Sequence, residues 1–388
     1  MLRRHAVTAA MIAALAVATP ASWAQEPPTK PIRDLFAFLP MPTKETFFIS
    51  YADLQAFQID DLKSLPQTGL PQTFAMAIAM DTQEPGGFAD RTGFAPGRIG
   101  QIAFAEMVPG FYPTAIRLHD VSPADLPPVW IRRGYVESGS GEQRLWTRGK
   151  PGEIQRDYWS QRDPSDLLRH DLGASAVLAL DGSTLLLAAL PETMAVMTSS
   201  AKTGAGAASR TDLTLMLDAL DKAVEPGETP TVLKWVPQPD AAGDAASAVM
   251  MDMMGQRSLP DADKARSALE AATGIPSYPS LLIAETRSAG TTPAAILALL
   301  FSDCAIAESA GAVAAAKWSS AATVDPESPF GALTARWSSI TVEGGCVLLG
   351  RVAAKTASAD TPQQLLVAAI MRRTLYPLQT GPAPRTAP

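Results

Sequence analysis

Paired apolar segments joined by short turns are the feature that most constrains the fold of this chain. Asp181-Gly182 separates the apolar residues 176–180 from residues 184–189. Asp-Gly between two such runs is typical of a tight β-hairpin, because both turn positions favour a positive φ. Three further pairs of apolar segments have the same organisation. The four predicted hairpins join residues 101–108 to 114–119, 176–180 to 184–189, 281–287 to 294–301, and 336–342 to 346–353.

Helix signals accompany these hairpins in the same order in each half of the chain. Pro191 begins a predicted helix that ends at Gly204, a residue type that terminates helices in the left-handed conformation. In the second half, Asp303 caps an alanine-rich helix, and Thr361 with Gln364 forms a capping box. Each half therefore contains a hairpin, a helix, further strands and a final helix.

This repeated order predicts an α+β fold with two similar halves, each an antiparallel sheet covered by helices on one face. The halves span residues 46–224 and 231–376 and are joined near residues 225–230. Each half is expected to be a duplicated ferredoxin-like or related unit of sheet and helix. Residues 25–45 are expected to be an N-terminal linker, and the proline-containing residues 377–388 a disordered tail.

The N-terminus has the organisation of a secretory signal peptide. Arg3 and Arg4 precede an apolar run over residues 6–18, which is too short to span a bilayer of about 30 Å. Ser22 and Ala24 then place small residues at the positions that signal peptidase recognises. We expect cleavage after Ala24 and a periplasmic or secreted mature protein. No later apolar run reaches about eighteen residues without a charge or a proline, so no membrane span is expected in the mature chain.

The acidic charge of the chain limits its possible partners. The formal net charge is −7, and removal of the predicted signal peptide with its two arginines makes it −9. A chain with this balance and no basic stripe is not expected to bind nucleic acid or an anionic membrane. An unknown periplasmic protein or a small molecule is the expected partner.

Two cysteines, Cys304 and Cys346, are the only ones in the chain. In a compartment that oxidises thiols, such a pair predicts a disulfide. Two buried free thiols are the alternative. A redox role is not expected, because the separation of the two residues differs from the Cys-x-x-Cys spacing of redox-active pairs.

Known catalytic and cofactor motifs are missing from the sequence, and no catalytic residue or cofactor is predicted. His119 and His170 are the only histidines of the mature chain, and we interpret them as surface or loop residues that are too few for a zinc site. Ser199 and Lys202 match Ser-x-x-Lys without the distant elements of the penicillin-binding fold. Residues 93–97 lack the lysine of a phosphate-binding loop.

A methionine cluster is the single candidate metal site in the sequence. Its members are Met250, Met251, Met253 and Met254. Thioether pairs at i, i+3 spacing can select Cu(I). The two pairs would face different sides of a helix, and methionine commonly fills gaps in cores, so we expect core packing and no metal.

Three stretches in the first half carry a pattern of strand, short helix ending in Gly-Tyr, polar turn and aromatic-bearing strand. They are FFISYADLQAF at 47–57, IRLHDVSPADLPPVWIRRGYVESGSGEQRLWTRG at 116–149 and VLALDGSTLLLAAL at 177–190. With Gly134, Tyr135 and Trp146 at the matching positions, the chain resembles an uncharacterised family of exported bacterial proteins of unassigned function. The resemblance covers about the first half of the mature chain and implies no catalytic residue.

The missing motifs and the repeated architecture favour a non-enzymatic exported domain that binds or scaffolds a partner through loops and sheet faces. Trp159, in the polar segment 150–171, is the tryptophan that we expect to contact a ligand. The alternative is a periplasmic hydrolase that uses dispersed carboxylates. Its candidate residues are Asp157, Asp163 and Asp166.

Overall fold

The computed structural model describes residues 26–43, 46–57, 87–107, 112–139, 144–151, 166–168, 175–237, 275–276, 278–324, 329–356, 360–371 and 378. The strands in these ranges are β1 Thr46–Asp53, β2 Ile99–Met107, β3 Thr114–Leu118, β4 Val136–Ser138, β5 Leu145–Thr147, β6 Val177–Asp181, β7 Thr184–Ala188, β8 Thr229–Pro237, β9 Ser280–Arg287, β10 Ala294–Phe301, β11 Leu333–Val342 and β12 Gly345–Ala354. The α-helices are α1 Lys30–Phe36, α2 Gly87–Thr92, α3 Leu126–Arg132, α4 Pro191–Thr203, α5 Thr211–Ala223, α6 Cys304–Val324 and α7 Pro362–Met371.

All of these strands belong to one large sheet. The strand order is β11-β12-β10-β9-β8-β1-β2-β3-β7-β6-β5-β4. Every neighbouring pair is antiparallel. The α+β prediction with antiparallel strands is therefore confirmed.

The four predicted hairpins are present in this sheet. Gly182, Gly290 and Gly344 have positive φ values of 55°, 76° and 83° in the turns of β6–β7, β9–β10 and β11–β12. Glycine adopts such values without the steric cost that other residues meet. Strand β2 pairs with β3 as expected. The turn between them lies outside the described residues.

The predicted helix ends are also confirmed. Gly204 terminates α4 with a φ of 69°. The Asp303 carboxylate accepts a hydrogen bond from the Ile306 backbone N–H at 2.9 Å, at the start of α6. Thr361 and Gln364 exchange two side-chain to backbone hydrogen bonds at the start of α7, which is the geometry of a capping box.

Helices cover both faces of the sheet, which corrects the prediction of helices on one face. On the first face, α1, α4 and α5 pack against a cluster that includes Leu233 and Trp235. On the second face, α2 and α3 contribute to one buried cluster, and α6 and α7 contribute to another. Central strands such as β10 are buried along their whole length. Because successive strand residues face opposite sides, these strands require cover on both faces.

Residues 25–45, which we predicted to be a linker, contain helix α1 and contribute to the core. Arg33 in this helix forms ion pairs with Asp218 and Asp221 of α5, at 2.7 and 3.3 Å. The apolar residues recur with the spacing of one helix face and continue just beyond its end. The buried ones are Ile32, Leu35, Phe36 and Leu39.

The predicted junction at residues 225–230 is a short turn within a continuous sheet. Strand β8 begins at Thr229 and pairs with β1, so the two parts of the chain share one sheet. The two parts differ in their helices, because α2 lies between β1 and β2 and both α4 and α5 follow β7, whereas the second part has only α6 after β10 and α7 after β12 among its described residues. Duplicated ferredoxin-like units are therefore not confirmed.

The two chain ends differ in how much the structure describes. The predicted signal peptide, residues 1–24, lies outside the described residues. Of the predicted tail, residues 377–388, only Leu378 is described, and it is buried with its carbonyl accepting a hydrogen bond from the Tyr278 hydroxyl at 3.1 Å. Within the described ranges, no helix combines the length and the apolar character needed to cross a membrane.

Candidate functional site

Cys304 and Cys346 form a disulfide, with their Cα atoms 5.0 Å apart. Cys346 lies opposite Phe301, the last residue of β10, and Cys304 begins the helix that follows this strand. The pairing of β10 with β12 therefore brings the two cysteines together. The predicted disulfide is confirmed.

The described polar residues that the sequence singled out take part in structural contacts. His119 lies beside Asp120, with Nδ1 and Oδ2 3.3 Å apart, and Asp120 forms an ion pair with Arg98. Asp166 is buried, and its two carboxylate oxygens accept hydrogen bonds from Arg133 at 3.1 and 2.5 Å. The Asp166 carboxylate is therefore held in an ion pair with the Arg133 guanidinium.

The remaining candidates fall outside the described residues, so the structure does not test them. They are Asp157, Trp159, Asp163, His170 and the methionines at 250, 251, 253 and 254. Within the part of the chain that the structure describes, no group of three or more His, Cys, Asp or Glu residues could hold a metal ion.

A polar group lies at the centre of the sheet, where β1 and β8 meet. Ser50 on β1 is directly opposite Lys234 on β8, and Phe104 on β2 is on the other side of Ser50. Phe48 lies two residues before Ser50 and is opposite Glu106. Residues opposite one another share a face, so all five side chains lie on the second face. We name Phe48, Ser50, Phe104, Glu106 and Lys234 the central seam.

The central seam lies at the boundary between the two buried clusters of the second face. Ala52 and Val232, at one end of the seam, belong to the cluster that contains α2 and α3. Val236, at the other end, belongs to the cluster that contains α6 and α7. Phe104 is buried but is part of neither cluster. The seam is therefore a junction between the two parts of the protein, a location that ligand sites favour.

Lys234 carries a charge in a poorly hydrated position. Its side chain is 8% exposed, and burial lowers the pKa of the ammonium from 10.5 to about 8. The Glu106 carboxylate opposes this decrease without cancelling it. The Nζ atom lies 3.6 Å from the centre of the Phe48 ring, which provides a further attraction.

Ser50 presents a buried hydroxyl on β1, and in the register of the sheet the residue is directly opposite Lys234. The residue is fully buried, and its Oγ atom has no hydrogen-bond partner. Most buried hydroxyls in folded proteins are hydrogen-bonded, because an unsatisfied one costs about 1–3 kcal/mol. The Ser50 hydroxyl is therefore an unsatisfied buried group in the same part of the sheet as the buried Lys234 side chain.

A second charged group lies on the same face but is internally satisfied. Glu285 on β9 is buried, and its carboxylate accepts a hydrogen bond from the Arg287 guanidinium at 2.7 Å. The Arg287 guanidinium also lies over the Phe57 ring, 4.2 Å from its centre. The charges of Glu285 and Arg287 therefore compensate each other. The charge of Lys234 is compensated less well.

Comparisons with known proteins provide no identification. No family model matches the chain, and no curated protein matches it significantly. A solved structure described as "Structure of crystal form I of TP0453" matches with a TM-score of 0.39 and 7% sequence identity, over 88% of this chain and 97% of that chain. A similarity at this level carries no argument about function.

The sequence reasoning did not select any residue of the central seam. Lys234 is the only charged residue in the run TVLKWV at 231–236. A lone lysine inside an apolar strand was the available signal, because lysine is almost never fully buried unless it is paired. The partner strand that places Ser50 opposite it could not be predicted from that run.

Proposed function

We propose that this chain is an exported, non-enzymatic protein that binds a small molecule at the central seam. The observation that carries the proposal is the buried ammonium of Lys234 opposite the unpartnered hydroxyl of Ser50. Burial of both groups costs folding free energy, and a ligand that satisfies them would recover part of it. Perturbed titratable groups of this kind concentrate at functional sites.

The geometry of the seam favours binding over catalysis. A serine nucleophile needs a base within hydrogen-bond reach, and the Ser50 hydroxyl has no hydrogen bond to Lys234 or to any other group. Of the carboxylates considered for a hydrolase, Asp166 forms an ion pair with Arg133. The described residues therefore provide no activated serine nucleophile at the seam.

We also propose that the two parts of the chain arose by structural duplication. Counted outward from the centre, β1, β2, β3, β7 and β6 have the same order as β8, β9, β10, β12 and β11. A helix follows the third strand and another follows the last strand in both parts. Ser50 and Lys234 each lie three residues before the end of their central strands, so the seam lies at the proposed symmetry axis.

Export is the remaining part of the proposal. The N-terminal sequence supports a signal peptide that is cleaved after Ala24, and an oxidising periplasmic or extracellular location would maintain the Cys304–Cys346 disulfide. The proposed mature protein therefore begins at Gln25.

The proposed function is tested by recovering the protein from the periplasm of a bacterium that expresses the full chain. Intact-mass measurement should give a chain that begins at Gln25. Denaturation of the purified protein should release about one small molecule per chain, detectable by mass spectrometry. Lys234→Met should lose this molecule, whereas the control Lys202→Met, which changes an exposed lysine of α4, should retain it.

Three outcomes would contradict this proposal. A retained N-terminal segment with Arg3 and Arg4 would exclude the proposed export route. Equal amounts of the released molecule from the wild type and Lys234→Met, or no released molecule from the wild type, would exclude the central seam as its binding site.

A further inference from the structure

We infer that the ligand of the central seam is an aromatic monocarboxylate, bound through its carboxylate to Lys234 and Ser50 and through its ring to the apolar surface beside them. This inference rests on the proposed function and specifies the chemistry of the same site. It follows from the charge, the hydrogen-bonding capacity and the aromatic content of the seam, which are considered in turn.

The charge of the seam selects an anion. Lys234 interacts with the charge of Glu106 on β2. Glu285 on β9 is opposite Val232, one row away from Lys234, and is bound to Arg287. Glu106 is only partly buried, and its attraction does not restore the pKa of the ammonium to its ordinary value. A carboxylate placed against Nζ would add the missing compensation in a poorly hydrated environment, where ionic hydrogen bonds are strong.

Ser50 adds a second donor for the same carboxylate. Residues directly opposite on antiparallel strands have Cβ atoms about 5 Å apart, so Oγ and Nζ can approach one carboxylate from neighbouring strands. The Ser50 hydroxyl has no hydrogen-bond partner within the protein. A carboxylate has two oxygens and can accept from both groups, whereas an alcohol or an amine cannot satisfy the ammonium.

A single negative charge suits this site better than two. Lys234 is the weakly compensated cation, since Arg287 is already bound to Glu285. A second carboxylate on the ligand would be buried without a cation or would approach Glu106. Both arrangements are unfavourable, because an unpaired buried charge is expensive.

Aromatic side chains form the apolar part of the seam. Phe48 lies beneath the ammonium, and Phe104 lies beside Ser50 in edge-to-face contact with Tyr112, with ring centres 6.4 Å apart. Aromatic rings attract one another in offset or edge-to-face arrangements, beyond the effect of burial alone. We therefore expect the carboxylate to be joined to a flat aromatic ring that packs against these side chains.

Calorimetric titration of the full mature protein with three matched probes tests this inference. The probes are 2-naphthoate, 2-naphthalenemethanol and naphthalene-2,6-dicarboxylate, which share a ring and differ in charge. At pH 7, 2-naphthoate should bind at least about tenfold more tightly than either of the others. Its affinity should decrease above about pH 8, as the unliganded Lys234 loses its proton.

Two isosteric variants assign the binding to the named groups. Lys234→Met should weaken 2-naphthoate binding by about tenfold or more and leave 2-naphthalenemethanol within about twofold. Ser50→Ala should weaken 2-naphthoate binding by about threefold to tenfold, as expected for one lost hydrogen bond. Cooperative thermal unfolding of both variants, at or above the wild-type midpoint, would show that they remain folded.

Equal affinities for 2-naphthoate and 2-naphthalenemethanol, or no effect of Lys234→Met on 2-naphthoate, would overturn this inference. Preference for the dicarboxylate would also overturn it. If the periplasmic protein nevertheless releases a different small molecule in a Lys234-dependent manner, the proposed function stands and only the ligand class is wrong. If the released molecule is independent of Lys234, the proposed function itself fails.

Discussion

Ser50 on β1 lies directly opposite Lys234 on β8, at the centre of a continuous antiparallel sheet. The first residue presents a buried hydroxyl without a partner, and the second presents a buried ammonium. The pair joins the two parts of the chain through residues that are 184 positions apart. Burial of these two groups costs folding free energy, because neither is fully compensated within the protein.

Lys234→Met should increase the free energy of unfolding at neutral pH. The pKa of Lys234 is about 8 in the folded protein, compared with 10.5 for an ordinary lysine. Between these two pH values the unfolded chain binds more protons than the folded protein, so the free energy of unfolding of the wild type increases with pH. The cost is fully present below about pH 8 and amounts to roughly 3 kcal/mol. At pH 7 the free energy of unfolding of the variant should exceed that of the wild type by up to this amount. The loss of the attraction between the ammonium and the Phe48 ring reduces the difference.

Urea unfolding of both proteins at pH 7 and pH 10.5 measures this difference. The advantage of Lys234→Met should disappear at the higher pH. A variant that is less stable than the wild type at pH 7 would mean that the ammonium is fully compensated in the folded protein.

Gly350→Ala should destabilise the packing between β11 and β12. A Cβ atom at position 350 would lie 2.6 Å from the Trp337 ring, which is also in edge-to-face contact with Trp318. We expect a loss of about 1–3 kcal/mol, because the ring must shift within a packed region. Gly87→Ala is the control, since the atoms nearest to its Cβ would be those of the Arg91 guanidinium, the closest at 3.3 Å. Equal thermal stability of the two variants would contradict the proposed contact.

Asp221→Ala should weaken the attachment of helix α1 to α5. The Asp221 carboxylate accepts hydrogen bonds from the Thr29 backbone N–H and hydroxyl, both at 2.8 Å, and forms an ion pair with Arg33. Removal leaves these donors without their acceptor and should cost about 2 kcal/mol. Asp34→Ala, which removes an exposed ion pair with Lys30, should change stability by less than about 1 kcal/mol. Chemical unfolding that ranks the two variants in the opposite order would refute this role.

Reduction of the Cys304–Cys346 disulfide should lower the free energy of unfolding. The bond closes a loop with a sequence separation of 42 residues, for which the chain-entropy argument gives roughly 4 kcal/mol. The double variant Cys304→Ser with Cys346→Ser should show a similar loss, measured by chemical unfolding. Denatured, non-reduced protein should contain no free thiol. Two reactive thiols in oxidised, exported material would show that the bond does not form.

The local elements of this fold follow from short stretches of sequence. The turn at Gly182, the end of α4 at Gly204 and the capping box of Thr361 and Gln364 were all predictable. Each is decided by a few neighbouring residues, because the cost of a positive φ or of an unsatisfied helix N–H is local. The disulfide was predictable for a different reason, since the chain contains only two cysteines.

Tertiary structure decided which of these elements meet. Helix α1 has an apolar face that its sequence shows, but its role in the core depends on α5, whose Asp221 lies 192 positions from Thr29. The pairing of β1 with β8, and therefore the position of Ser50 opposite Lys234, depends on the order of the whole sheet. Strand order is set by the simultaneous burial of both faces, a property of the complete chain that no short window of sequence contains.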